Sequence, residues 1–151
     1  MKGIHAERIY PHPIDRVWEA IATREGLAAW LMPNDFEPVQ GKRFQFHWKK
    51  CVGWRGYVEC EVLAVEPPHR LVFSWIGDEK QKATTVSFEL QAVSGGTKLT
   101  FAHTGFEGLG GFFGRMMMAN GWRKKMLGRQ LPAALDALEG GGRASLRPLT
   151  P

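Results

Sequence analysis

The chain has 151 residues, a formal net charge of +5 at pH 7 and a 44% share of hydrophobic residues. This length suits one domain with a sizeable core and is short for two. The opening residues "MKGIHAERIYPHP" lack the apolar core of a secretory signal, and charges or glycines interrupt the later apolar stretches. We therefore expect a cytoplasmic protein without a membrane span. Cys51 and Cys60 form no CxxC pair, which predicts free thiols and not a disulfide framework or zinc site.

The positive charge is concentrated near the C-terminal end. Residues 1–114 carry 13 Lys or Arg and 13 Asp or Glu, whereas residues 115–151 carry 7 and 2. The centre of the excess is "RKK" at 123–125, followed by Arg129. A solvated helix face is the plainer interpretation, and an anionic partner or ligand head group is the alternative. We expect at most a surface patch, with no specific binding of nucleic acid.

The N-terminal part predicts one strand followed by two short helices. The segment "HAERIY" at 5–10 mixes β-branched and aromatic residues with charges in alternation, and Pro11 and Pro13 end this strand. Pro13 suits a first helical turn, and Thr23 can cap a second helix in which Gly26 occupies the place of a capping-box Glu. The apolar residues at helical spacing are Ile14, Val17, Trp18 and Ile21 in the first helix, and Leu27, Trp30 and Leu31 in the second.

From residue 42 onward, apolar residues recur at every second position. This period predicts five half-buried antiparallel strands. Prolines at 67–68 and glycines at 77 and 95–96 predict the short links between them. The residues predicted to face inward are Phe44, Phe46 and Trp48, then Val58, Cys60 and Val62, then Leu71, Phe73 and Trp75, then Val86, Phe88 and Leu90, and finally Leu99, Phe101 and His103.

A long helix of about 20 residues is predicted after a glycine-rich passage. Asn120 is a candidate N-cap, and the glycines at 140–142 are the stop signal. Pro132 opposes the carbonyl of Gly128 in an α-helix, which predicts a bend between these residues. We expect residues 140–151 to form a flexible tail. The residues predicted to share the buried face are Trp122, Met126, Leu131, Leu135 and Leu138.

This order of elements is that of the helix-grip fold. In this α+β fold, a curved antiparallel six-stranded sheet carries two short helices and a long C-terminal helix packed over its concave face. Four segments add a closer resemblance, namely "HPIDRVWEAIATREGLAAWL" at 12–31, "CEVLAVEPPHRLVFSW" at 60–75, "TTVSFELQAVSGGTKLTFAHTGF" at 84–106 and "GW" at 121–122. They resemble the activator of heat shock protein 90 ATPase homologue family, within the START-related and birch-pollen-allergen-like (SRPBCC) superfamily. The resemblance spans residues 4–139, and we expect one domain over residues 1–139.

The resemblance implies a cavity between sheet and long helix that admits a small apolar or amphipathic molecule. The sequence has no HExxH, GxSxG or P-loop, and its histidines are scattered, so we expect no catalysis, metal or cofactor. A chaperone-associated interaction module is one alternative, and a cyclase or hydrolase-type enzyme is a less favoured one. The residues predicted to bind the ligand are Trp30, Phe44, Phe46, Trp75, Phe88, Phe101, His103, Met117, Met118, Trp122 and Met126.

Three features have a structural as well as a functional interpretation. His103 is either a buried histidine satisfied by its neighbours or a polar contact that orients a ligand. The six tryptophans and nine phenylalanines either fill a core or wall a cavity. The run "FFGRMMM" at 112–118 is a pocket lid, plain core or a homodimer contact, or a membrane surface, and we favour the lid. The predicted lid residues are Phe112, Phe113, Met116, Met117 and Met118, hinged at Gly110, Gly111 and Gly114.

Overall fold

The structure, a computed structural model, describes residues 3–52, 54–107 and 118–151. Within these ranges, six strands form one antiparallel sheet in the order β1-β6-β5-β4-β3-β2, so β2 to β6 make a meander and β1 closes onto β6. This is the sheet that the helix-grip fold predicts. The strands are β1 (Gly3–Tyr10), β2 (Arg43–His47), β3 (Tyr57–Glu66), β4 (Arg70–Trp75), β5 (Thr84–Val93) and β6 (Gly96–Thr104).

The period of two in the sequence places one apolar face of the sheet against the helices. The residues predicted to face inward are buried in β2 to β6, and Trp48, which lies just beyond β2, is half-buried. A β-bulge between Val62 and Ala64 shifts the alternation of β3. Leu63 is exposed, as the alternation predicts, and beyond the bulge Val65 pairs with inward-facing Leu71 and packs against the core.

Two short helices, α1 (Ile14–Ile21) and α2 (Arg24–Trp30), follow β1. As predicted, the Thr23 hydroxyl caps α2 and accepts a hydrogen bond from the Gly26 amide at 3.0 Å. The two helices approach closely at Gly26, because a methyl group on its Cα would lie 2.6 Å from the carbonyl oxygen of Glu19. A side chain at this position would therefore collide with the backbone of α1, which explains the glycine in place of a capping-box Glu.

The C-terminal helix changes its winding along its length. Residues 118–120 are α-helical, Gly121–Gln130 form a π-helical segment with hydrogen bonds five residues apart, and α3 (Leu131–Gly141) continues as an α-helix. The predicted N-cap at Asn120 is wrong, because this residue has helical dihedral angles and its side chain makes no capping hydrogen bond. The predicted stop is confirmed by Gly142, whose φ of +68° favours glycine.

Pro132 lies at the start of α3, beside the change in winding. The Leu131 amide, just before Pro132, pairs with the carbonyl five residues earlier. Continuing this spacing by one residue would place Pro132 opposite the carbonyl of Leu127. The predicted opposition to Gly128 assumed α-helical spacing and stays a prediction. The bend expected between Gly128 and Pro132 stays a prediction.

The helices cover the concave face of the sheet, and their inward residues are buried with those of the strands. The last residues, where we expected a flexible tail, are placed against α1 and α2. They form a 3₁₀ turn at Gly142–Ser145, Arg143 donates to Glu19 at 2.8 Å, and the Leu149 amide donates to the Ala28 carbonyl at 2.8 Å. None of the helices in the described ranges has the length and apolar character needed to cross a bilayer.

Replacing Gly26 with alanine tests the close contact of α1 and α2. Alanine normally favours a helix, but here the added methyl group collides with backbone atoms that cannot rotate away. We expect Gly26→Ala to lower the free energy of unfolding by about 1–3 kcal/mol or more in urea denaturation.

Gly140→Ala is the matched control, because Gly140 lies in α3 with no atom within 4 Å of the added methyl group. The free energy of unfolding of this variant should rise by roughly 0.4–1 kcal/mol. Equal stabilisation of both variants would contradict the close contact at Gly26.

Candidate functional site

Aromatic rings from separate elements meet at the centre of the interior. Trp122 of the π-helical segment packs on Phe101 of β6 with ring centroids 4.5 Å apart, on Trp75 of β4 at 5.6 Å and on Trp30 of α2 at 6.4 Å. Phe88 of β5 joins Trp30 at 6.0 Å and Phe101 at 5.3 Å. All five side chains are buried. Trp122 is therefore the ring through which the helix contacts both the sheet and α2.

The same aromatic surface extends to the other edge of the sheet. Phe46 of β2 contacts Trp75 at 5.7 Å and Phe73 of β4 at 5.9 Å, and Phe44 contacts Phe46 at 5.3 Å between centroids. The alternation of β2 and β4 directs these rings to the same face. The concave side of the sheet thus carries a continuous wall of aromatic rings from β2 to β6.

A chain of hydrogen bonds crosses this apolar interior. The Trp122 indole N–H donates to Nδ1 of His103 at 3.1 Å, and Nε2 of His103 lies 2.7 Å from the Thr84 hydroxyl oxygen. The hydroxyl donates to the Trp75 carbonyl at 3.0 Å. An indole can only donate, so Nδ1 must accept and the proton of the neutral ring must sit on Nε2. Every polar atom of the chain then has a partner.

The surroundings of His103 keep it uncharged. Its side chain is fully buried, between the rings of Trp75, Trp122 and Phe106. Burial lowers the pKa of His103 to about 3, because an imidazolium ion would lose its hydration without gaining a counter-charge. A ligand oxygen could bond to this ring only by replacing one of its two present partners.

The structure brings most of the predicted site residues together. Trp30, Phe44, Phe46, Trp75, Phe88, Phe101, His103 and Trp122 are buried on the concave side. Met118 and Met126 are partly buried and pack against this core. Met117 lies outside the described residues, as do Phe112, Phe113 and Met116 of the predicted lid. The role of these residues in binding a ligand stays a prediction.

Sequence reasoning missed two contributors to the interior. Thr84 was not assigned to the site, although it precedes Val86 and Phe88 by an even number of positions and so shares their inward phase. Phe106 lies beyond the end of β6, where alternation gives no guidance, yet its ring centroid is 4.7 Å from that of His103. Inward phase alone was thus a usable signal for Thr84, but not for Phe106.

Other buried ionisable groups lie far from His103. Tyr10 pairs with Thr97, six residues along β6 from His103, which is roughly 20 Å at the rise of a strand. Cys60 is on β3, three strands away, and burial raises the pKa of its thiol, with Asp35 and Glu59 adding to the effect. In the described ranges, no set of three His, Cys, Asp or Glu residues could hold a metal ion.

Two depressions are lined mainly by residues of the outward strand phase. Their volumes are about 410 and 430 Å³. Polar and charged side chains dominate both linings, although the first also includes Phe44 of the aromatic wall and the inward-facing Cys60. The first is lined by Asp35, Arg43, Phe44, Gln45, Glu59, Cys60, Glu61, Ser74 and Ile76. The second is lined by Glu66, His69, Arg70, Glu89, Leu90, Gln91, Lys98 and Thr100.

Comparison with known families agrees with this architecture. The family model described as Activator of Hsp90 ATPase homolog 1-like protein matches residues 11–136. The chain belongs to this family. None of the curated proteins compared with the chain matches it.

Solved structures similar to this member of the Activator of Hsp90 ATPase homolog 1-like family share its fold. Protein MLL2253 of Mesorhizobium loti is 29% identical, with a TM-score of 0.78 over 89% of this chain and 97% of its own. Protein BH1534 of Bacillus halodurans is 28% identical, with a TM-score of 0.73 over 89% and 97%. DynU16, from the dynemicin biosynthetic locus, is 21% identical, with a TM-score of 0.71 over 97% of this chain and 50% of its own. At that identity, the last likeness concerns the fold alone.

The buried histidine makes the stability of the fold depend on pH. Well above pH 6.5, His103 is neutral in both the folded and the unfolded chain and contributes no pH dependence. Below pH 6.5, the unfolded chain takes up a proton that the folded chain refuses until its pKa of about 3 is reached. Stability is therefore lost on acidification, by about 2 kcal/mol between pH 7 and pH 5 from this group.

The variant His103→Gln should lack this contribution, because glutamine keeps an N–H donor and a carbonyl acceptor but does not titrate. Urea denaturation at several pH values would measure the difference in unfolding free energy between the wild type and the variant. We expect that difference to shrink by about 2 kcal/mol from pH 7 to pH 5. His47→Gln, at an exposed site, is the control, and parallel curves for wild type and His103→Gln would contradict a neutral buried ring.

Proposed function

We propose that this protein binds a small apolar or amphipathic molecule between the concave face of the sheet and the C-terminal helix, without converting it chemically. The observation that carries the proposal is the convergence of Trp30, Trp75, Phe101 and Trp122 from four separate elements around one neutral histidine. Pockets for small molecules are mostly apolar and aromatic, with a few polar groups that fix orientation. Membership of a helix-grip family supports the same assignment.

The division of the tryptophans supports an aromatic ligand surface. Three of the six, Trp30, Trp75 and Trp122, meet in the interior, whereas Trp18, Trp48 and Trp54 are only half-buried. Flat rings contact a ligand over a large area and lose little conformational freedom. When a ligand with an apolar ring system binds, some ring–ring contacts within the protein are lost, and contacts of the same kind form between the protein rings and the ligand.

The polar chain supplies one orienting contact for such a ligand. The Trp122 indole N–H is a donor that can be transferred from His103 Nδ1 to a carbonyl or hydroxyl oxygen of the ligand. The vacated Nδ1 is then an acceptor for a ligand hydroxyl. A molecule with one hydroxyl group at the end of an apolar body accepts from the indole, donates to Nδ1 and leaves no buried polar atom unpaired.

A ligand can enter only if the helix that covers the concave face moves away from the sheet. Met118 and Met126 belong to this helix, are partly buried and pack against the core. Methionine side chains are unbranched and polarizable, and so adapt to ligands of different shape. We therefore assign these two residues to the rim of the site and the aromatic rings to its walls.

The proposal excludes catalysis because, in the described ranges, the two hydrogen-bond partners of His103 are Thr84 and Trp122, and neither is an acid or base at physiological pH. In the described ranges, Tyr10 and Cys60 are buried on other parts of the concave face. Buried His12 pairs with Asp136 at 3.1 Å, but it lies beside Thr97, at the opposite end of β6 from His103, and Asp136 is 74% exposed. A lone histidine whose nitrogens both have partners lacks the second group that acid–base or nucleophilic catalysis needs.

Two measurements test the proposal. Organic extraction of the purified protein, followed by mass spectrometry, should release a small apolar or amphipathic compound. The neutral fluorescent probe N-phenylnaphthylamine should bind saturably, and Trp122→Phe should weaken its binding about 2- to 12-fold, because the smaller ring contacts the probe over less area.

Trp48→Phe is the matched control, because Trp48 is half-buried outside the site, and it should bind the probe like the wild type. Equal loss of binding in both variants, or no saturable binding in the wild type, would contradict a site around Trp122.

A second candidate is a chaperone-associated interaction module, which the description of the family favours. Such a module would present a contiguous apolar surface to its partner. In the described ranges, the large exposed apolar side chains are Ile9, Val39, Val52 and Leu63. Ile9 on β1 and Leu63 on β3 are separated by three strands, so the ligand-binding proposal has the stronger support.

The basic residues of the helix serve as a surface patch in this proposal. Arg123, Lys124, Lys125 and Arg129 are exposed on the π-helical segment. Replacing all four with glutamine should leave the fold intact by circular dichroism. Wild-type binding to duplex DNA should be weak, independent of base sequence and steeply reduced by salt. Sequence-selective binding at physiological salt would contradict this.

A further inference from the structure

The backbone hydrogen bonding of the C-terminal helix has a gap at Pro132. The Leu131 amide donates to the Met126 carbonyl, five residues earlier. Continuing this register, the Leu127 carbonyl would accept from residue 132, which is a proline without an N–H. Leu127 is fully buried. The π register thus leaves a buried carbonyl without a backbone donor, and such a group is costly unless another donor reaches it.

Tyr10 supplies the missing donor from a different element. Its hydroxyl, at the end of β1, donates to the Leu127 carbonyl oxygen at 2.7 Å. The Tyr10 side chain is buried, and burial raises its pKa well above the usual range against a smaller opposing effect of Arg8. The hydroxyl therefore keeps its proton and remains a donor at all physiological pH values.

Gly128 provides a second, independent fit to the π register. A methyl group on its Cα would lie 2.8 Å from the carbonyl oxygen of Arg123, five residues earlier. The residue is exposed, so a side chain would have room on the solvent side. The backbone winding itself leaves no space for a Cβ atom at this position. An α-helical winding, which tolerates alanine better than any other residue, has no such restriction.

The register decides where Trp122 points. A change by one residue rotates a helical side chain by about 100°. In the π register, the Trp122 indole donates to His103, and its ring packs on Phe101. In the α register, the Leu131 amide would pair with the Leu127 carbonyl and make the Tyr10 hydroxyl dispensable. The rotation would move the indole away from the aromatic wall.

We propose that Tyr10 is a positioning residue that holds the helix over the interior in its π register, and that conversion of this segment to the α register opens the interior to ligand. Pro132 makes the Tyr10 hydrogen bond necessary, and Gly128 makes the π winding sterically feasible. The register is a property of the free protein. Only its consequence for ligand entry rests on the proposed function.

A double-mutant cycle tests the role of Tyr10. Tyr10→Phe removes the hydroxyl and keeps the ring, so it should lower the folding equilibrium constant roughly 5- to 150-fold, the effect of one unsatisfied buried carbonyl. Pro132→Ala restores an N–H that can reach the Leu127 carbonyl. In the Pro132→Ala background, Tyr10→Phe should therefore lower the folding equilibrium constant by less than about threefold. An equal loss in both backgrounds would overturn the proposal, because it would mean that Tyr10 acts without regard to the gap at Pro132.

Hydrogen exchange of the Trp122 indole N–H reports the register directly. Its signal is assigned by its disappearance in Trp122→Phe. Gly128→Ala should speed this exchange at least about tenfold by favouring the α register, whereas Gly140→Ala in α3 should leave it unchanged. Tyr10→Phe should act in the same direction and gives the readout if Gly128→Ala does not fold. Unchanged exchange in folded Gly128→Ala and Tyr10→Phe would overturn the proposal.

The consequence for ligand entry is measured separately with N-phenylnaphthylamine. Stopped-flow association with Tyr10→Phe and Gly128→Ala should be faster than with the wild type, because the open form is more populated. Variants that exchange faster but bind the probe at the wild-type rate would overturn the opening step while the register assignment stands. Absence of probe binding in every form would contradict the proposed function alone.

Discussion

The hydrogen bond from Trp122 to His103 is the contact on which the interior depends. It joins the C-terminal helix to the sheet within the aromatic wall, where both Trp122 and His103 are fully buried. The bond also fixes the tautomer of His103 and, through it, the orientation of the Thr84 hydroxyl. Burial keeps the ring neutral. The otherwise apolar interior thus contains a chain of hydrogen bonds, and the Trp122 indole determines which atom donates and which accepts in it.

The position of the Trp122 indole depends in turn on a hydrogen bond to the Leu127 carbonyl, near the other end of the β1–β6 pair. Tyr10 satisfies the carbonyl that Pro132 leaves without a donor, and this maintains the winding that places Trp122 above Phe101. The two hydrogen bonds lie at opposite ends of the β1–β6 pair. Loss of either is therefore expected to affect the same helix, although the residues never touch.

Sequence patterns predicted the parts of the fold that follow from local periodicity. Alternation placed Phe44, Phe88 and Phe101 on the buried face, and the cap at Thr23 required only a short-range signal. The π winding was not predictable, because apolar residues at helical spacing fit both registers. The Tyr10 hydrogen bond spans 117 positions and has no local signature. The contacts of Leu149 with α2 are also long-range and have no compositional signal.

The filled aromatic interior and the proposed ligand site are energetically compatible. The rings contact one another at 4.5–6.4 Å between centroids around Trp122, and each such pair contributes only about 0.5–1.5 kcal/mol beyond burial. A ligand ring that inserts between Trp122 and the rings of Phe101 and Trp75 restores contacts of the same kind. The Trp122–His103 hydrogen bond has a net value of about 1 kcal/mol, and a ligand oxygen can restore it. The register of the helix, and not the strength of the aromatic contacts, is then the main barrier to occupancy.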